Sequence, residues 1–274
     1  MGALRVDLNG AQDDYAGADR DQALISLCLG TGVRRHNLAY VTTYEVPART
    51  ELPFTTIQVA DLITKNDAGG AALTFTHRLP VVHGYIHGRR VEDVARRPYQ
   101  PESPLHIVEA DSRGFRYVDP RGSDPSKVRS RSWSETDAAI RVRLVKPDGT
   151  TPILFLNTQI AEPLTYSGMQ HVVAGAARFV RDRINPDFPP GFRLHDLRHT
   201  YAVHLAVAIY RGVLTDAVRH GANPNDAWVV DHIAQAVEFV TYSLGHASED
   251  STKLYVQTAH RFLGIPLEQF LGQP

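Results

Sequence analysis

What most constrains the fold of this chain is a change of hydrophobic rhythm at Thr165. Beyond it, apolar residues recur with helical period over Ser167 to Arg183, His195 to Arg211, Asp226 to Ser243 and Ser251 to Phe262, with Gly212 to Asn225 reading as a loop-rich extension. Before it, helical and β-branched segments are short and mixed. Residues 19–30 predict a helix ending at Gly30, with Ala23, Leu24, Leu27 and Cys28 at its apolar positions. A second helix is expected to start near the Thr31-Gly32 break and to carry Arg34. Strands are expected at Val41 to Val46, Thr55 to Ile63 and Ala71 to Phe75, the last two around the turn Asn66-Asp67-Ala68-Gly69-Gly70 with Lys65 at its lip. Leu79 to Arg97 looks helical, and residues 98–135, rich in Pro, Ser, Gly and Arg, read as an irregular insertion. Ala139 to Val145 and Pro152 to Leu156, around Pro147-Asp148-Gly149, suggest a hairpin. The expected fold is mainly α with a small antiparallel β-sheet, an α+β single domain over 1–274. Its core spans about 19–97 and 150–262, with the insertion at about 98–150 and an apolar C-terminal tail at 263–274.

Composition narrows the function classes. An apolar content of 43% and a charged content of 22% suit a water-soluble domain. No apolar run approaches the roughly eighteen residues of a membrane span, and the N-terminus has no basic segment followed by an apolar one. A cytoplasmic location and no membrane partner are the expectation. The single cysteine, Cys28, excludes an internal disulfide and a cysteine-only metal site, and its apolar neighbours mark it as a core residue. A net charge of −1 gives no basic footprint on average. The charge is uneven, however: residues 1–30 are acidic, whereas Arg113, Arg116, Arg121, Lys127, Arg129 and Arg131 face only Asp119 and Asp124 within their own stretch.

Two boxes near the end carry the chemistry: His195-Asp196-Leu197-Arg198-His199-Thr200 and Leu244-Gly245-His246, with Tyr255 nine residues beyond His246. On a helix His195 and Arg198 share a face and could meet one phosphate. A phenol to attack, guanidinium forks to hold charge and imidazoles to move protons suit a phosphodiester. Read alone, each box has a plainer explanation. His195 to Thr200 could be polar residues of a helix start, and Tyr255, one of eleven tyrosines, could fill core. His195 and His199 also mimic the H-E-x-x-H zinc pattern with Asp196 in place of Glu and Glu238 as a distant third ligand.

With Thr31-Gly32-Val33-Arg34 and Ile63-Thr64-Lys65 far upstream, the ordered set resembles the tyrosine recombinase (phage-type integrase) family, C-terminal catalytic domain. That family shows an arginine in a T-G-L-R-x-x-E-L box, a lysine on a β-hairpin, an H-x-L-R-H-T box, an L-G-H box and a tyrosine nine residues later. Order and spacing agree from about residue 20 to residue 262, and Leu154-Phe155-Leu156-Asn157 with Pro163-Leu164-Thr165 fits the run-up to the His195 box. The resemblance implies site-specific DNA recombination or integration, by metal-independent strand cleavage and rejoining through a 3′-phosphotyrosyl intermediate. Arg34 and Arg198 would hold the scissile phosphate, and Tyr255 would be the nucleophile. Lys65 would protonate the leaving 5′-oxygen, with Lys146 as the fallback. His195 would assist proton transfer at the phenol, and His246 would hydrogen-bond the phosphoryl oxygens. No cofactor and no metal are implied. The implied partners are double-stranded DNA and further copies of the chain in a tetramer, with the apolar tail docking on a neighbouring subunit.

The sequence departs from the family pattern at Asn37, where a glutamate is usual, and in the longer stretches at about 98–150 and 212–226. The family's separate N-terminal DNA-binding domain is expected to be absent, supplied by a longer chain or from elsewhere. Two other functions stay open on the residues: a non-catalytic DNA-binding module of the same fold, and a zinc hydrolase built on His195 and His199.

Overall fold

The computed structural model describes residues 17–60 and 70–221, together with Glu238, Val240, Thr241, Tyr255 and Thr258. The expected mixture of helices with small sheets is present. By contacts the chain divides into two compact units, Met1–Leu197 and Arg198–Pro274.

The first unit opens with α1, Ala18–Thr31, whose apolar positions Ala23, Leu24, Leu27 and Cys28 are all buried, as the spacing requires. The helix runs past Gly30 and stops at Gly32, which takes the left-handed conformation (φ 59°) and returns its N–H to Cys28 O. A short helix, α2, follows at Arg35–Tyr40. Strands β1 (Phe54–Val59) and β2 (Gly70–Phe75) pair antiparallel in unbroken register, Phe54 facing Phe75 and Val59 facing Gly70. Next come α3 (Leu79–His87) and α4 (Arg89–Ala95), where one helix was expected. They part at Gly88, where a Cβ would lie 2.7 Å from Gly84 O, so the backbone makes a turn that a side chain would obstruct. The core joins α1, α2 and α3 to Ile57, Ala72, Leu154, Phe155 and to Met169 and Val173 of α6, Tyr166–Arg183.

Val41 to Val46 does not form the expected strand. Thr42 makes one antiparallel bridge to Ile153, and the chain then turns because the Glu45 carboxylate is drawn inward to accept Thr42 N and Oγ1, each at 2.9 Å.

The insertion is ordered, contrary to the irregular segment expected from its composition. Strands β3 (Leu105–Ala110), β4 (Gly114–Val118) and β5 (Arg129–Ser132) build a sheet of order β5-β4-β3-β6. Its last member, β6 (Leu144–Val145), lies parallel to β3. One face buries Leu105, Ile107, Phe115, Tyr117, Trp133 and Leu144. Trp133 packs on Phe115 with ring centroids 4.5 Å apart and donates from Nε1 to Asp111 O at 2.7 Å. Arg113 and Arg116 of the basic stretch lie exposed beside Asp111 and Glu109, respectively, so local carboxylates answer part of the charge.

The hairpin expected over 139–156 is not formed. Ala138–Arg141 is a short helix, α5, capped by Asp137. Carbonyls of Thr151, Ile153 and Leu154 turn to the buried guanidinium of Arg90 at 2.7 to 3.0 Å instead of to a partner strand. Only the Pro147-Asp148-Gly149 turn stands, closed by Lys146 N to Thr150 O at 2.7 Å.

Helix α7, Leu194–Arg219, begins in the first unit and supplies the second with Tyr201, Ala202, Leu205, Ala206 and Tyr210 on one buried stripe. It passes through Gly212, where a loop was expected. A lone glycine costs a helix only about 1 kcal/mol, and the buried Ala217 one turn and a half later keeps the helical spacing. In the second unit Val240 and Tyr255 are helical and buried. The rest of the segments expected at Asp226 to Ser243 and Ser251 to Phe262, and the tail at 263–274, lie outside the described residues. Among the described residues, no helix is long and apolar enough to cross a membrane.

Candidate active site

Arg34 stands at the N-cap of α2 rather than within it, with extended backbone (φ −66°, ψ 148°) and a partly buried side chain. The turn before it is fixed from the sequence upward. Thr31 Oγ1 donates to Leu27 O at 2.7 Å and accepts Val33 N at 3.3 Å, while Gly32 supplies the left-handed residue. Three residues on, Asn37 is buried and helps to line a small cavity with Leu27, Val33, Val41, Glu45, Ile57 and Gln58.

Lys65 falls between β1 and β2, which form the antiparallel pair expected around it, but residues 61–69 lie outside the described residues. The fallback, Lys146, is held within its own turn, Nζ 3.0 Å from Asp148 Oδ2.

The His195 box forms the first turns of α7. Arg193 precedes the helix, and Asp196 Oδ2 accepts its backbone N–H at 2.7 Å, half of a capping box. Asp196 is therefore occupied in starting the helix, not placed as a general base. Leu194 N donates to Gln170 Oε1 of α6 at 3.3 Å, and His195 beside it is exposed. The zinc reading needs three convergent ligands, and among the described residues no group of three or more His, Cys, Asp or Glu is placed to hold a metal. Glu238, its third candidate ligand, is exposed.

A second polar chain links the starts of α2 and α7. Gln170 Nε2 donates to Tyr166 Oη at 2.6 Å, and Arg35 both donates to that hydroxyl and lies over the ring, Cζ 4.6 Å from its centroid. Arg35 follows Arg34, and Leu194 precedes His195, so the strap runs between the neighbours of two predicted site residues.

In the second unit His199 and Tyr255 come together, and Arg198 acts on the tyrosine through its charge. Arg198 is buried, 8% exposed, and its charge reaches both Tyr201 and Tyr255. His199 Nδ1 is in hydrogen-bond contact with Tyr255 Oη, the ring centroids 5.4 Å apart and the planes inclined at 41°. Burial raises the Tyr255 phenol above its ordinary value, and the Arg198 guanidinium works against that rise. His199 was read in the sequence as a possible zinc ligand, not as a partner of the tyrosine. A separation of 56 residues hides the contact from any local pattern. His246 lies outside the described residues.

No protein-family model matches the chain, and no curated protein matches it. Among solved structures it is similar to the XerH site-specific recombinase bound to palindromic difH substrate in a post-cleavage complex. The identity is 14% and the TM-score 0.48, over 95% of this chain and 47% of that chain. The pre-cleavage XerH complex gives 15% and 0.45, over 92% of this chain and 46% of that one. The Tn1549 transposon integrase in complex with transposon right end DNA gives 14% and 0.45, over 96% and 62%. The chain thus spans about half the length of the XerH chains it matches.

Proposed function

We propose that this chain cuts and rejoins double-stranded DNA through a covalent link to Tyr255, the chemistry of site-specific recombination or integration. The observation that carries the reading is the cluster in the second unit, where the phenol is held by an imidazole within reach of a buried guanidinium. A phenol is a competent nucleophile toward phosphorus when a base takes its proton and fixed positive charge receives the phosphoryl oxygens. Arg198 supplies such a charge permanently, because a guanidinium does not lose its proton in the working range. Arg34, at the mouth of a short helix, is the proposed second fork on the phosphate. Lys65 is the proposed acid for the leaving 5′-oxygen, His246 a further donor to the phosphoryl oxygens, and His195 an exposed imidazole for the same site. A tetramer on DNA and a partner domain that closes over the duplex belong to the same proposal.

The test is adduct formation. A pool of duplexes with a randomised centre and a nick beside it traps the enzyme once the short 5′-hydroxyl strand diffuses away. Wild-type protein is expected to give a detergent-resistant protein–DNA adduct, and Tyr255→Phe to give none. Equal adduct from both would overturn the assignment. Binding in a gel shift with no adduct from wild type would leave a DNA-binding module without turnover. Stoichiometric zinc in purified protein would support the hydrolase instead.

A further inference from the structure

The contact between His199 and Tyr255 lies wholly within the second unit, and the resemblance that assigned the other site residues gives His199 no role. Tyr255 is only 6% exposed, and its hydroxyl is engaged by the Nδ1 face of the ring. A phenol raised above its ordinary value by burial keeps its proton at neutral pH, so it needs an acceptor in contact with it when it attacks. The labour divides, with Arg198 supplying charge and His199 supplying a base.

We infer that His199, in place of the His195 to which the resemblance gives this task, is a catalytic residue, the acceptor of the Tyr255 phenolic proton. The inference rests on the reading of Tyr255 as the nucleophile. It requires the neutral imidazole with its proton on Nε2 and a free lone pair on Nδ1. As the bond from Oη to phosphorus forms, the phenolic proton passes to Nδ1 and leaves an imidazolium. The bond from phosphorus to the 5′-oxygen breaks, and that oxygen takes a proton from the acid proposed above, Lys65, to depart as a hydroxyl. Rejoining reverses each transfer: the 5′-hydroxyl returns its proton to the amine and attacks phosphorus, and the imidazolium gives its proton to the departing phenolate.

Three measurements on the full chain test the inference. Nitrogen-15 NMR of the histidines in the DNA-free protein should show His199 as the Nε2–H tautomer, with a Nδ1 signal that changes in Tyr255→Phe. A proton fixed on Nδ1 would make the ring a donor to the phenol and overturn the role. With DNA selected by the wild-type protein, His199→Ala should lower the single-turnover adduct rate about a hundredfold with DNA binding kept, a loss in the range for a general base, and added imidazole should restore part of it. His199→Asn, which can still accept a hydrogen bond but cannot take the proton, covers the case in which the alanine variant does not fold, and it should be equally slow. On a substrate with sulfur at the 5′ bridging position, whose thiolate leaves without protonation, His199→Asn should stay slow while Lys65→Ala recovers. A wild-type or faster rate from either His199 variant sinks the role of His199 and leaves Tyr255 standing. Adduct from Tyr255→Phe, or no adduct from wild type, sinks the underlying reading instead.

Discussion

Arg141, fully buried, meets both carboxylate oxygens of Glu45, at 2.6 and 2.9 Å. The remaining donors of the fork go to the carbonyls of Tyr40 at 3.0 Å, Trp133 at 2.7 Å and Thr136 at 2.9 Å. One side chain thus ties the inserted sheet to the end of α2, the helix that Arg34 caps. Truncating one member of such a pair leaves the other charge buried without its partner. Arg141→Ala is expected to cost about 3–5 kcal/mol. Arg141→Lys should also be damaging, because a single ammonium cannot reproduce five divergent bonds. Urea unfolding followed by tryptophan fluorescence checks both, and a loss under about 1 kcal/mol for the alanine variant would contradict the geometry.

Trp133 is the keystone of the inserted sheet's apolar face. It is 1% exposed, packs on Phe115 and stacks on Tyr44 with centroids 5.8 Å apart. Trp133→Ala should cost about 3–5 kcal/mol through the lost contacts and the cavity left behind. Trp133→Phe keeps a ring but leaves Asp111 O without its donor, and should cost about 1–3 kcal/mol. Amide exchange across Leu105–Ala110 and Gly114–Val118 should accelerate selectively in both; protection left at the wild-type level would show that the sheet does not depend on this ring.

The sheet also shows where the sequence was legible and where it was not. α1 and α6 could be read because an apolar stripe marks each, although α1 runs past the expected stop at Gly30 to Gly32. The inserted strands did carry a period of two, Leu105 with Ile107 and Phe115 with Tyr117, but Pro, Ser and Arg around them outweighed runs this short. In β5 the strand reads Arg-Ser-Arg-Ser, with nothing apolar to mark it. Val41 to Val46 erred the other way. Its β-branched residues suited a strand, while a carboxylate from Glu45 and an arginine 96 residues away closed a turn. The site divides along the same line: the ordered boxes that resemble the recombinase family put Arg34, Arg198 and Tyr255 forward as candidates, yet the touch of His199 on Tyr255 depends on tertiary placement.

Three tyrosines set an alkaline limit on stability. Burial pushes the phenols of Tyr85, Tyr99 and Tyr210 up to about 12. An unfolded tyrosine ionises near about 10, so above that pH the unfolded chain binds fewer protons than the folded one. The stabilisation is complete below about pH 10 and is lost as pH rises toward about 12. Part of the phenolate absorbance should therefore rise late and together with loss of helical circular dichroism. Ionisation of all eleven tyrosines at about pH 10 with the fold intact would contradict it.

The strap from Arg35 through Tyr166 and Gln170 to Leu194 makes the last prediction, which bears on activity rather than folding. Gln170 uses both ends of its amide, Nε2 to Tyr166 Oη at 2.6 Å and Oε1 from Leu194 N at 3.3 Å. Gln170→Ala removes the link between the chain beside Arg34 and the chain beside His195, and little packing goes with it. Melting should move little, since substitutions away from the core usually stay within about 0.5 kcal/mol. On the proposed function these groups converge on one phosphate, so displacing them is costlier to rate than to stability, and about a tenfold slower adduct step is expected. Gln170→Glu keeps an acceptor for Leu194 N and should recover part of the rate, whereas a purely structural role would show as parallel changes in melting and rate. Single-turnover assays beside thermal melts decide it, and an unchanged rate in Gln170→Ala would show that the strap does not align the site.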